Sequence, residues 1–180
     1  MNNPARGPSV TKGYKIVLAA RPKGKPQLTD FRLEEISIPT PGPGQILLRV
    51  QYLSLDPYMR GRMDDHESYA PSTQLGAVMP GESAATVVAS NHSAFSEGDI
   101  VLADTGWRTH ALSDRGDLRK LDPAIAPVTT GLGVLGMPGF TAYGGLRVIG
   151  KPKPGENRCR RDGKRTRGVS GWPAREDFWR

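Results

Sequence analysis

The sequence predicts a mainly β chain with short helices, built as a Greek-key or barrel-like unit, and two observations carry that prediction. Between Tyr14 and Ala126 the apolar residues come in short, partly alternating runs, the pattern of half-buried strands. Clusters of Pro and Gly separate these runs, the densest being Pro39-Thr40-Pro41-Gly42-Pro43-Gly44, a stiff turn.

The elements follow in order. Tyr14-Lys15-Ile16-Val17-Leu18 reads as a short strand ended by the turn-rich Arg21–Pro26. Phe31 to Ile38 alternates apolar and polar residues for most of its length, and the Pro/Gly turn then leads into a strand over Gln45–Tyr52. Pro57 fixes its own φ and biases Asp56 away from helix, so that strand should stop near Leu55. Asp64 to Gln74 has the mixed polar composition of a surface loop. Pro80-Gly81 turns into a strand that runs to Ser90, and Glu97-Gly98-Asp99 turns into the strand Ile100–Ala103. Trp107–Leu112 is predicted as another short strand, with Leu118–Leu121 leading into a turn. From Val128 to Tyr143 the chain is apolar and Gly-rich, Pro138-Gly139 reads as a break, and a helix begins near Thr141.

Composition bounds the function. A chain of 180 residues holds one ordinary domain with a sizeable core. No apolar run approaches the roughly 18–20 residues that span a bilayer, and the polar segment Met1–Gly13 reads as a flexible N-terminus rather than a signal peptide. One cysteine, Cys159, rules out an intramolecular disulfide framework and is compatible with the cytoplasm. The net charge is +7, but residues 157–180 hold eight Lys/Arg against three Asp/Glu, so the body of the chain is nearly neutral. No Gly-x-Ser-x-Gly nucleophile pattern occurs, and His66, His92 and His110 lack metal-pair spacing and read as solvated.

The densest chemistry is Asp56-Pro57-Tyr58-Met59-Arg60-Gly61-Arg62, where a carboxylate, a phenol, a thioether and two guanidinium groups meet at a strand end. Such a cluster suits a pocket wall. A strand end with Tyr58 packed on the core and two solvated arginines is the alternative.

This stretch resembles the medium-chain dehydrogenase/reductase superfamily, in its zinc-independent branch of NADPH-dependent alkenal, prostaglandin and curcumin reductases. Two further blocks, Pro39–Val50 and Gly133–Tyr143, are similar to that branch in the same order, so the resemblance runs from about Tyr14 to Glu156. It implies a GroES-like catalytic domain over 14–126 and a linker over 127–156 leading towards a Rossmann cofactor domain. It implies hydride transfer from NADPH to the β-carbon of an α,β-unsaturated aldehyde or ketone, without metal, in an enzyme that is often homodimeric. Pro80 stands where the zinc-dependent branch has a ligand histidine. Carried onto this chain, Tyr58 packs against or hydrogen-bonds the enone, with Asp56, Met59 and Arg60 framing it. Met137, Pro138, Gly139 and Thr141 lie beside the nicotinamide; for Thr141 an ordinary helix N-cap is the alternative.

After Glu156 the resemblance ends. The family continues with an apolar strand and a glycine-rich phosphate turn; here the chain reads Asn157-Arg158-Cys159-Arg160-Arg161-Asp162-Gly163. Removing one A from an AAC codon for Asn157, with permitted codons chosen downstream, lets the segment read Thr-Val-Val-Val-Ala-Thr-Glu-Asn-Gly-Pro-Val-Gly-Ser-Val-Val-Gly. That is a buried strand and a glycine turn. Residues 157–180 are therefore read as a basic tail derived from a frameshift, the cofactor domain as missing, and the chain alone as inactive without tight NADP(H) binding. A different class of function stands beside this one: a non-catalytic GroES-like module whose basic tail binds nucleic acid or another acidic partner.

Overall fold

The computed structural model describes residues 12–66, 70–114 and 118–153. The expectations for residues 1–11 and 154–180, the frameshift-derived tail among them, lie outside the described residues.

Among the described residues seven strands form two antiparallel sheets. β1 (Lys12–Leu18) pairs with β2 (Phe31–Ser37). The remaining strands are β3 (Ile46–Leu53), β4 (Ser83–Ser90), β5 (Ile100–Ala103), β6 (His110–Ser113) and β7 (Arg119–Leu121), in the order β6-β3-β4-β5-β7. The segment before β6 joins the sheets: Ile16 N–H donates to Trp107 C=O at 2.8 Å, and Tyr14 C=O accepts from Thr109 N–H at 2.8 Å. The mainly β architecture with short helices is as the strand pattern anticipates, in two sheets linked by isolated bridges.

Alternation sets the core. Ile46, Leu48, Ala85, Val87, Val101 and Ala103 turn to one side around Phe95. A second cluster, Leu18, Met59, Met63 and Met79, packs with Phe31, Tyr58 and Trp107 at the other end. Leu102 lies on the opposite face of β5, where a 3-10 turn over Val128–Leu132 covers it; a Cβ on Gly131 would meet Leu102 Cδ1 at 3.4 Å and Leu121 Cδ2 at 3.1 Å.

The structure corrects several expectations. β3 ends at Leu53, and after Pro57 the chain forms a short helix, α1 (Tyr58–Arg62), instead of continuing as an irregular strand end. Pro57, at φ −56° and ψ −32°, already has helical geometry and needs no N–H bond at that position. The strand expected over Trp107–Leu112 begins at His110, and Arg119–Leu121 is itself a strand paired with β5. Pro138-Gly139 does not break the last segment: both lie in the first turn of α2 (Met137–Gly144), with Gly136 at the N-cap. Thr141 is therefore inside the helix, and the N-cap alternative for it fails. α2 continues into a wider π-type turn over Gly145–Gly150, which ends at Lys151 with φ 42°. Of the histidines, only His66 is exposed; His92 and His110 are half-buried.

Candidate functional site

The start of β4, the end of β5 and the α2 segment border one cleft, whose lining does not include Tyr58 or any other residue of 56–62. This cleft of about 650 Å³ has Leu102 and Ala103 as its floor. Its far wall comes from the α2 segment, through Leu135, Met137, Gly139, Phe140 and Tyr143, and its polar groups are Glu82, Asp104 and Arg119. The backbone that aims the two carboxylates is fixed: Glu82 C=O accepts from Ser54 N–H at 2.9 Å, and Gly81 C=O accepts from Gly106 N–H at 3.0 Å. Gly81 lets this corner close against α1, since a Cβ there would come within 3.0 Å of Leu53 Cδ1 and 3.1 Å of Met59 Cε.

The Tyr58 phenol belongs to the same electrostatic neighbourhood. Burial raises its pKa above the ordinary phenol range, and the charges of Asp56, Asp104 and Glu82 raise it further, against the opposing Arg62. Glu82 is likewise raised, first by burial and then by Asp104 and Asp56, with Arg119 opposing. The result is a half-buried phenol that keeps its proton well past neutrality. Its hydroxyl makes no hydrogen bond to another described residue, which leaves that proton available to a ligand.

The structure separates the residues singled out from sequence. Met137 and Gly139 line the cleft, whereas Pro138 and Thr141 sit on α2 without lining it. Asp56 acts on both Tyr58 and Glu82 by its charge. Met59 is not on the wall: it is 3% exposed and packs in the core under Tyr58. Arg60 turns to the neighbouring turn, its Nη2 donating to Gly24 C=O at 3.0 Å and its Nη1 lying 2.6 Å from Asp64 Oδ1. Sequence reasoning missed Glu82, Asp104, Arg119, Phe140 and Tyr143 as cleft residues. For Glu82 a signal existed, an acid directly between a turn glycine and the fully buried Ser83 and Ala84.

Gly136 and Gly139 are required by packing. A Cβ on Gly136 would collide with the Gly131 carbonyl, and one on Gly139 with the Val134 carbonyl. These close approaches fold the α2 segment back over the cleft. Even on the cleft wall Phe140 stays 77% exposed, and in the turn after α2 Ile149 is 83% exposed. Among the described residues no group of three His, Cys, Asp or Glu is placed to hold a metal ion. No helix there is long and apolar enough to cross a membrane.

Comparison with known proteins gives consistent results. A family described as the N-terminal domain of oxidoreductase matches residues 14–121. NADPH-dependent curcumin reductase of Escherichia coli (strain K12) is 51% identical over 150 residues, 83% of this chain and 44% of that protein. Prostaglandin reductase 1 of Bos taurus is 43% identical over 136 residues, 74% of this chain and 39% of that protein. The crystal structure of CurA in complex with NADPH from Vibrio vulnificus superposes with a TM-score of 0.74 at 50% identity, over 78% of this chain and 42% of that one. The chain thus spans less than half the length of the relatives it matches.

Proposed function

The chain belongs to the family of N-terminal domains of oxidoreductases in the medium-chain dehydrogenase/reductase superfamily, and on that premise we propose that residues 14–156 are the catalytic-domain half of an NADPH-dependent reductase of conjugated enones and enals. One observation carries this reading: Glu82 and Asp104 line the same cleft as Met137 and Gly139 and also act on the Tyr58 phenol. The Asp56–Arg60 block and the Met137–Thr141 block therefore serve one site.

The residues of the cleft fit one end of the cofactor. Apolar Leu135 and Met137 beside the side-chain-free Gly139 suit a flat ring, whereas Arg119 is the one cation lining the cleft and no glycine turn for phosphates adjoins it among the described residues. NADPH, when bound, supplies the hydride. The chain's own groups then handle the oxygen of the substrate. Tyr58 donates a hydrogen bond to the enone carbonyl, and that bond strengthens as the oxygen takes on enolate charge. The surrounding carboxylates keep the phenol protonated, so Tyr58 serves as a donor and not as a base. Arg62 and Arg119 offset the acidic field at the developing oxyanion. Leu102, 7% exposed, is the water-shielded apolar contact of the cleft, whereas Phe140 and Tyr143 stand open to solvent in this chain. Met59 acts from beneath by seating α1 in the core, and Arg60 by tying α1 to the 20–27 turn.

In this reading the cleft supplies only the nicotinamide end of a cofactor site, so the 180-residue chain is expected not to turn over by itself. The nucleotide sequence across the codons for Glu156 and Asn157 tests the change of frame. The functional test joins residues 1–156 to the cofactor domain of the Escherichia coli curcumin reductase and follows NADPH oxidation with a conjugated enone. The joined protein should consume NADPH only when the enone is present, and the 180-residue chain should consume none. Saturable turnover by the 180-residue chain would overturn the reading.

A further inference from the structure

We propose that Arg21 is the positioning residue for the helix that carries Tyr58. A helix of five residues is far below the length that holds itself together in water, and its last carbonyls need partners from elsewhere. Those partners can be followed atom by atom. Arg60 C=O accepts from Met63 N–H at 3.2 Å and Gly61 C=O from Asp64 N–H at 3.3 Å, the two weak bonds that the helix end supplies for itself. Arg62 C=O accepts from Thr73 N–H at 2.7 Å, across the loop. The next two are taken by one nitrogen: Arg21 Nη1 donates to Met63 C=O at 2.8 Å and Asp64 C=O at 3.2 Å, and also to Thr73 C=O at 2.9 Å. Its Nη2 lies 3.4 Å from Asp65 Oδ1.

Arg21 thus closes the helix end and pins Thr73 to it. The latch is reciprocal. Arg60 reaches from α1 back to Gly24 C=O, three residues beyond Arg21, through Nε at 3.2 Å and Nη2 at 3.0 Å. Leu18, three residues before Arg21, packs with Met59 and Met63 on the buried side of the same helix. One short segment, 18–24, therefore holds α1 from below, from its end and from its side. Nη1 serves the three carbonyls while Nη2, held in the same plane, reaches Asp65; a lysine, with a single nitrogen on a flexible stem, cannot keep both sets of contacts. Loss of the latch frees α1 to swing from the corner of Gly81, moving the phenol away from Asp104 and Glu82 and into water.

The proposal rests on the reading of Tyr58 above only for its consequence in turnover; the latch is tested on the 180-residue chain without any substrate. Arg21→Lys and Arg21→Ala are compared with the unaltered chain by amide hydrogen exchange and by ring-carbon NMR titration of Tyr58, assigned with Tyr58→Phe. In Arg21→Lys the amides of Met59–Asp64 should exchange faster by about tenfold or more, while those of Val87 and Val101 are unchanged, the signature of local opening. The Tyr58 pKa should fall towards the ordinary phenol value. Arg21→Ala should show both effects more strongly; if it fails to fold, Arg21→Lys alone decides. Unchanged exchange in Met59–Asp64 with an unchanged Tyr58 titration in Arg21→Lys would overturn the proposal. A shift in both establishes the latch even where Tyr58→Phe leaves enone turnover intact, so the two readings fail separately.

Discussion

Ser83 Oγ and Thr105 Oγ1 lie 2.7 Å apart in the core, one residue behind the cleft carboxylates of Glu82 and Asp104. Ser83 is 0% and Thr105 4% exposed. Thr105 Oγ1 also donates to Gly106 C=O at 2.9 Å, which commits its single proton and makes Ser83 the donor of the pair. The two hydroxyls thus cross-tie the strand ends that aim the acids into the cleft. Removing one member of a buried pair costs more when the group left behind is a donor without an acceptor. Thr105→Val should therefore destabilise by about 1–3 kcal/mol, and more than Ser83→Ala at about 1 kcal/mol, as measured by urea unfolding of the two variants.

The phenol of Tyr58 is held protonated by burial first and then by Asp56, Asp104 and Glu82. Asp56→Asn should lower its pKa, Asp104→Asn should do so by less, and Glu82→Gln by least, following the order in which their charges act. Tyrosinate absorbance, with Tyr58→Phe as the reference, reads these shifts. A titration indifferent to all three substitutions would show that the phenol does not feel the cleft carboxylates.

His110 imposes a pH dependence of definite sign. Burial, and next the Arg49 guanidinium across the β3–β6 pair, hold its imidazole pKa below the ordinary value. The unfolded chain then binds a proton that the folded chain resists, so stability falls as pH drops through the ordinary histidine value of about 6.5 and levels off below the lowered folded value. The neighbour of the His110 Nδ1 is the neutral Thr109 hydroxyl, 3.1 Å away. Unfolding midpoints across pH 5–8 should lose this slope in His110→Gln.

Glycine in a helix is ordinarily a weakness, and α2 contains both the rule and its exception. Gly144 has open space where a Cβ would stand, so Gly144→Ala should stabilise by roughly 0.5–1 kcal/mol. Gly139→Ala should instead push the helix off the Val134 carbonyl, destabilising the segment and opening the cleft. Amide exchange of residues 137–144 distinguishes the two.

Much of the β framework is legible in the sequence because strand alternation and Pro/Gly turns act locally. Ile46, Leu48 and Val50 announce their buried face, and Phe31–Ser37 its half-exposure. α1 escaped because a five-residue helix with an internal glycine has no period to read, and what sustains it, Arg21 above all, lies some forty residues away. For α2, Pro138-Gly139 has the look of a break, yet Pro in the first turn lacks only an N–H the helix would not use, and Gly139 is needed for the packing against Val134. The resemblance singled out Met137 and Gly139, which line the cleft, and Tyr58, which does not line it but lies within the field of its carboxylates. It could not separate Met59 and Arg60, which face the core and the 20–27 turn, from residues on the cleft, because that depends on the rotation of a helix the residues do not announce. Glu82 and Asp104 gather only when β4 and the end of β5 pair, through the Ser83–Ala103 register.

In the proposed site Tyr58 donates a hydrogen bond to the enone oxygen under the field of Glu82 and Asp104, the carboxylates that line the cleft with Met137 and Gly139. The most direct test of that bond is Tyr58→Phe in the joined two-domain protein, with enone turnover and NADPH affinity measured side by side. Loss of one donor to a developing oxyanion should lower kcat on the order of 10²-fold, while the dissociation constant for NADPH stays within about twofold, since a phenol on the substrate side contributes no differential binding to the cofactor. An unchanged kcat, or a loss of NADPH affinity equal to the loss of turnover, would contradict the account.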